Sequence, residues 1–281
     1  MKLESYSNIN EFYRAAEPFL MKQEAASGNM LSSCMKQLEK QSSIHNPPFL
    51  CCVKEDKDIR LAAYMAPPGP LQLFGEEEGV ESVVHKLIDE DWGIVRLSAP
   101  AALAHAFAEE WLLQTGNSYR VMSSMKLYGT ANISFPLSCG GELRKATPED
   151  REMTGRWLYE MGIENRSLLT KNEALEKAKE MIGKDSIYLW ENEKSEPVSM
   201  AALTRQTPST MTINMVYTPQ EQRRKGYARA CVANLSKRLL ETDITYCTLY
   251  ADGSNAAANE LYSSIGYQEI EQYTELSFSQ R

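Results

Sequence analysis

The sequence predicts an α/β fold arranged as two tandem domains. Three observations lead there. The chain has 281 residues, roughly twice the usual length of one domain. Short β-rich runs alternate with stretches of helical periodicity, the pattern of mixed α/β architecture. The same strand, turn and strand order occurs once in each half.

In the first half the run Phe49-Leu50-Cys51-Cys52-Val53, a charged turn from Glu55 to Asp58, and Arg60-Leu61-Ala62-Ala63-Tyr64 read as a hairpin. Helical stretches over 80–90 and 101–114 flank a strand at 93–97. The segment 129–140 has neither helical nor strand periodicity and ends in Gly140, with Pro136 inside it, so it reads as a linker. The domains expected on either side are 1–128 and 141–281. Beyond the linker, 142–146 reads as a strand, and Thr147-Pro148-Glu149-Asp150 supplies the cap residue, first-turn proline and acids of a helix start. Helices are expected over 148–161 and 170–182, an antiparallel hairpin from 187–190 and 198–203 around the polar turn Asn192 to Glu196, and a third strand over 210–217. The pair Ala62-Ala63 matches Ala201-Ala202. A tandem duplication accounts for this, though two unrelated α/β domains share as much by chance.

Composition excludes several classes. Hydrophobic residues make up 43% and charged residues 24%, an ordinary globular balance, and no apolar run approaches the roughly 20 residues of a membrane helix. The opening Met1-Lys2-Leu3-Glu4-Ser5-Tyr6 lacks the apolar core of a secretion signal, so a cytoplasmic protein is expected. Cys34, Cys51, Cys52, Cys139, Cys231 and Cys247 form no CxxC pair, and His45, His85 and His105 lie apart, so neither a metal site nor a disulfide framework is signalled. A net charge of −8 disfavours nucleic acid, which requires a concentrated basic surface, and sooner attracts a cationic or amine substrate. Oligomeric state leaves no mark on the sequence.

The chemistry concentrates after residue 214. Met215-Val216-Tyr217-Thr218-Pro219 ends a strand, Arg223-Arg224-Lys225 supplies three consecutive cations, and Gly226-Tyr227-Ala228 opens an amphipathic helix in which Tyr227, Cys231, Leu235 and Leu239 recur every four residues. Arg229, Ser236 and Lys237 fall on the other faces. A helix start presents unpaired N–H groups and a partial positive charge, a common way to hold phosphate, and the small Gly226 and Ala228 permit close approach. A cation-rich loop that merely caps a helix has the same composition. A strand follows over 244–250. Then comes Asn255-x-x-x-Asn259-x-x-Tyr262-x-x-x-Gly266-Tyr267. Asn255, Asn259 and Tyr262 share one polar stripe of a helix, with Ala258, Leu261 and Ile265 on a separate apolar stripe about a quarter turn away.

Arg223-x-x-Gly226-x-Ala228 after a strand resembles the acyl-CoA pyrophosphate loop of the GNAT acetyltransferase superfamily, and the asparagine–tyrosine helix is similar to the second half of that superfamily's cofactor site. The resemblance covers 141–281 and extends to the first half as topology. It implies two tandem GNAT-like domains, each a mostly antiparallel central sheet flanked by helices, the first a degenerate copy. It implies acetyl-CoA as cosubstrate, held by Met215, Val216, Tyr217, Arg223, Arg224, Lys225, Gly226, Tyr227 and Ala228, with Asn255 and Asn259 on the pantetheine arm. It implies Tyr262 beside the thioester sulfur as general acid, and backbone N–H groups near Met215 to Tyr217 as oxyanion donors. Asn255 also reads as a plain helix cap, and the alternative for Tyr262 is a half-buried ring in packing.

In the first half the matching segment, Leu73-Phe74-Gly75-Glu76-Glu77-Glu78-Gly79, carries three acids where the second carries three cations. One cofactor site per chain is therefore expected, with no metal. Glu160 and Glu164 are the candidates for general base, and either also reads as a solvated surface acid. The expected function is N-acetylation of a primary amine, of a small molecule, by direct attack. Two other readings stay open: a non-catalytic acyl-CoA-binding regulatory module, and acetylation of protein lysines or N-termini.

Overall fold

A computed structural model of the chain describes residues 1–39, 47–134, 139–165 and 169–279. His45 and Pro136 lie outside the described residues. The first half runs β1 (Lys2–Ser5), α1 (Ile9–Leu20), α2 (Glu24–Glu39), β2 (Phe49–Glu55), β3 (Asp58–Met65), β4 (Leu71–Gly75), α3 (Val80–Asp89), β5 (Arg96–Pro100), α4 (Ala101–Thr115) and β6 (Tyr119–Thr130). The second runs β7 (Glu142–Lys145), α5 (Arg151–Glu164), α6 (Lys171–Gly183), β8 (Ile187–Glu191), β9 (Pro197–Gln206), β10 (Thr210–Tyr217), α7 (Tyr227–Leu240), β11 (Tyr246–Asp252), α8 (Ala256–Ser264) and β12 (Gln268–Phe278). The two lists match element for element, and the tandem α/β architecture is thereby shown.

Backbone proximity divides the chain into one unit of residues 1–127, 251–255 and 269–281, and another of 128–250 and 256–268. In the first unit β1 to β4 pair antiparallel in sequence order, and β4 pairs parallel with β5 across the α3 crossover. Its core joins Leu61, Leu71, Leu97, Phe107 and Trp111 with Leu276 and Phe278 of β12. Residues 269–281, expected in the second domain, group here because β12 pairs antiparallel with β5, Tyr273 opposite Pro100 through Ser277 opposite Arg96. Pairing between strands so far apart in sequence leaves no local signal.

The second unit repeats the plan: β7 to β10 antiparallel in order, then β10 parallel to β11 across α7. Trp157 and Leu158 of α5, Ala174, Ala178 and Ile182 of α6, and Leu189, Met200, Ala202 and Tyr217 of the strands make its core. The entrance to α5 is fixed where the sequence located it. The Asp150 carboxylate accepts from the Thr147 N–H at 2.8 Å and takes two hydrogen bonds from Arg144, whose Nε donates to Glu191 at 2.6 Å.

Helices α1 and α2, and strands β1, β4, β6 and β12, went unread in the sequence. In α1 the apolar spacing was present: Ile9, Phe12, Ala16 and Leu20 are buried and Asn8 caps the helix by accepting from Glu11 N–H at 3.0 Å. The strand expected at 93–97 lies at Arg96–Pro100 instead. No described helix is long and apolar enough to cross a membrane.

Candidate functional site

Strand β10 carries the first half of the site. Its parallel ladder with β11 joins Thr210–Ile213 to residues 246–249, and both strands continue beyond it. Against β9, Asn214 pairs with Ala202 but Tyr217 pairs with Met200, so β10 spends three steps where β9 spends two. The extra residue makes a β-bulge, and Met215 takes up the left-handed conformation at φ 51°. The Met215 N–H, expected as an oxyanion donor, is taken by the Asn214 side-chain oxygen at 2.7 Å. Val216 is half-buried within the bulge and Tyr217 is buried at its end.

A short turn at Gln220–Gln222 leads to the cations. Arg224 is left-handed at φ 63° and Gly226 at φ 84°, and the Gly226 carbonyl accepts from Ala230 N–H at 3.0 Å to open α7. The N–H groups of Tyr227 and Ala228, in the first turn, have no acceptor within the helix. A Cβ built on Gly226 meets nothing within 4 Å. The four residues 223–226 are all exposed. They do not act alike. Lys225 donates to the Gln222 side chain at 2.9 Å. Arg223 is committed inward: Nε donates to the Thr218 carbonyl at 2.9 Å, one terminal nitrogen reaches both Glu164 oxygens at 2.6 and 2.8 Å, and the guanidinium lies 5.6 Å from the centre of the Tyr217 ring.

The two acids weighed as bases turn out to be neighbours on one face of α5, four residues apart. Glu164 is the ion-pair partner of Arg223. Glu160 accepts from the Tyr217 hydroxyl at 3.0 Å. Burial, with that acceptor adding to it, pushes the Tyr217 phenol up to about 12. Both acids therefore brace the end of β10 and the loop behind it. The four-residue spacing was visible in the sequence; the partners across the fold were not.

Helix α8 differs from expectation in its orientation. Tyr262, expected on a polar stripe apart from the packing face, is the buried residue of the helix, while Ala258 and Leu261 are half-buried. Its ring stands 6.2 Å from that of Tyr128 and 6.3 Å from that of Tyr267, and burial pushes its phenol up to about 12. Tyr128 donates to the Asn259 side-chain oxygen at 3.2 Å, and the Tyr267 hydroxyl is 2.7 Å from that of Ser236. Ser236, expected on a face of α7 other than the apolar one, is buried. Tyr128 escaped the sequence reading because it lies at the end of a strand that was not recognised. Asn255 directly precedes α8, is exposed, and groups with the first unit, its N–H donating to the Asp252 carbonyl at 3.0 Å. Among the described residues no group of three or more His, Cys, Asp or Glu side chains is placed to hold a metal ion.

Comparison with known proteins falls on this geometry. Residues 192–276, which contain the bulge, the loop and α8, match the family model described as FR47-like protein. No curated protein sequence matches the chain. Among solved structures, a GNAT-family acetyltransferase from Colwellia psychrerythraea aligns over 99% of this chain and 100% of its own at 10% identity, with a TM-score of 0.60. A GCN5-related N-acetyltransferase from Sphaerobacter thermophilus aligns over 98% and 94% at 16% identity and 0.62. A tandem GNAT protein from the clavulanic acid biosynthesis pathway aligns over 100% and 99% at 10% identity and 0.57. At these identities the likeness is one of fold, and it runs the whole length of both chains. The chain thus has the fold of these GNAT proteins, two copies in succession, with its FR47-like segment in the second half.

Proposed function

We propose that the second unit binds acetyl-CoA and transfers its acetyl group to a primary amine of a small molecule. The observation that carries this reading is the start of α7. Two left-handed residues turn an exposed, cationic loop into a helix whose first N–H groups lack internal acceptors, and the space over Gly226 is open. This arrangement suits a pyrophosphate, which needs donors and positive charge without a side chain in the way. Arg224 and Lys225 supply the charge, while Arg223 holds the loop in shape through Thr218 and Glu164.

Acetyl-CoA brings an activated thioester: a C–N bond forms to the amine as the C–S bond breaks. The protein must then do three things. It must orient the carbonyl oxygen toward donors, for which the bulge at Met215 to Tyr217 offers backbone N–H groups, the one at Val216 first since Asn214 occupies that of Met215. It must take a proton from the amine. Glu160 and Glu164 are engaged with Tyr217 and Arg223, which argues for water or another group in that role. It must return a proton to the thiolate, and the candidate donor is the Tyr262 phenol, protonated at neutral pH, though its burial makes it a weaker acid than an exposed tyrosine.

Incubation of the protein with acetyl-CoA and a panel of primary amines, followed by detection of free thiol, tests the reading. Thiol release that depends on the amine supports it. Acetyl-CoA binding without thiol release from any amine contradicts the enzyme and leaves an acyl-CoA-binding module.

A further inference from the structure

The central strands of the second unit carry a polar row where a core is expected. On one face Met211, Ile213, Cys247 and Leu249 are apolar and buried. On the other, Thr210, Thr212 and Thr248 are buried, with the Thr212 and Thr248 hydroxyls 2.9 Å apart. A second bulge supplies the cation. Ile213 pairs with Leu203 and Thr212 pairs with Arg205, so one residue of β9 is skipped. Without it Thr204 would stand opposite Thr212; with it Arg205 does. Bulges commonly serve to re-aim a side chain in this way.

Arg205 then extends across the sheet until its guanidinium lies 5.3 Å from the centre of the Tyr250 ring. Tyr250 is two residues beyond Thr248 on the same face, as Asn214 is two beyond Thr212. The cation thus points along the row toward the bulge at Met215, which begins three residues past Thr212, about 10 Å at the rise of a strand. One terminal nitrogen of Arg205 is buried and has no hydrogen-bond partner. No carboxylate pairs with Arg205 among the described residues. A guanidinium cannot lose its charge, and a buried N–H without an acceptor is costly. Its planar fork matches a carboxylate.

We propose that Arg205 is the anchor for a carboxylate on the acceptor, so that the acceptor is an amino acid or close analogue lying along the Arg205–Thr212–Thr248 row with its amine toward the bulge. This inference rests on the acyl-transfer reading for the amine, but the anion site stands on its own geometry.

The test uses matched pairs, each L-amino acid and its carboxamide. Binding to the full chain is measured by calorimetry without acetyl-CoA, then thiol release with it, for wild type, Arg205→Lys and Arg205→Met. At least one amino acid is expected to bind the wild type about tenfold or more tightly than its carboxamide, with that preference lost in Arg205→Met and partly kept in Arg205→Lys. Acetyl-CoA affinity should be the same in all three, which also reports an intact fold. Equal binding of acid and amide, no binding of any amino acid, or an undiminished preference in Arg205→Met overturns the inference. Amino-acid binding that needs Arg205 in a protein that does not bind acetyl-CoA upholds the anion site and rejects the acyl-transfer reading instead.

Discussion

Arg223, Arg224 and Lys225 are adjacent in sequence but have different partners. Arg223 is tied to Glu164, Thr218 and Tyr217, whereas Arg224 and Lys225 are exposed on the loop without a carboxylate partner among the described residues. Replacing Arg224 or Lys225 by Ala should weaken acetyl-CoA binding and flatten its dependence on salt, because a screened phosphate contact is lost. Replacing Arg223 by Ala should weaken binding while leaving the salt dependence in place, since its role is to shape the loop. Calorimetry across a salt series separates the two. Tyr262→Phe should lower kcat by about 100-fold with little change in acetyl-CoA affinity, and unchanged turnover would remove it as the acid. The loop was legible in the sequence because its residues are contiguous and each has a local reason. The burial of Tyr262 was not, because Tyr128 and Tyr267, which cover it, are set by the fold.

Among the elements, α5 has the clearest sequence origin and a function that the sequence hid. Its start was legible in Thr147 to Asp150, a capping box with proline behind it. The Arg144 bridge to Asp150 and Glu191 completes it, with both carboxylates largely covered. Burial alone would raise the Asp150 carboxyl, but hydrogen bonds from Arg144 and the Thr147 N–H outweigh it and hold the pKa below the usual 3.8. A lowered folded pKa stabilises the fold above the unfolded value, and that contribution is lost as pH falls. Arg144→Met should therefore cost about 1–3 kcal/mol near neutrality, discounted for the partial exposure of Arg144. The deficit should shrink in acid, as denaturant unfolding at two pH values will report. At its far end α5 presents Glu160 and Glu164 to β10 and the loop, a role no local pattern announces. Strand β12 was illegible for a related reason: its partner β5 is more than 150 residues away.

At the scale of the whole molecule the two copies of the fold share their order of elements and differ at the turn into the crossover helix. In the second, Gly226 opens α7 with clear space where a side chain would stand. In the first, Gly79 opens α3, and a Cβ there would meet Leu61 at 2.9 Å and Val53 at 3.2 Å. Apolar side chains crowd the space beside Gly79, and Glu76, Glu77 and Glu78 precede it, a setting that disfavours a phosphate. The acids were readable in the sequence; the packing was not. One acyl-CoA per chain, in the second unit, is therefore expected. Calorimetric titration of wild type and Gly226→Asp with acetyl-CoA and with free CoA tests this most directly, thermal unfolding confirming that the variant folds. The expected result is a stoichiometry of one in the wild type and loss of binding in the variant. Two sites per chain, no binding in the wild type, or binding that survives a carboxylate at position 226 would contradict it.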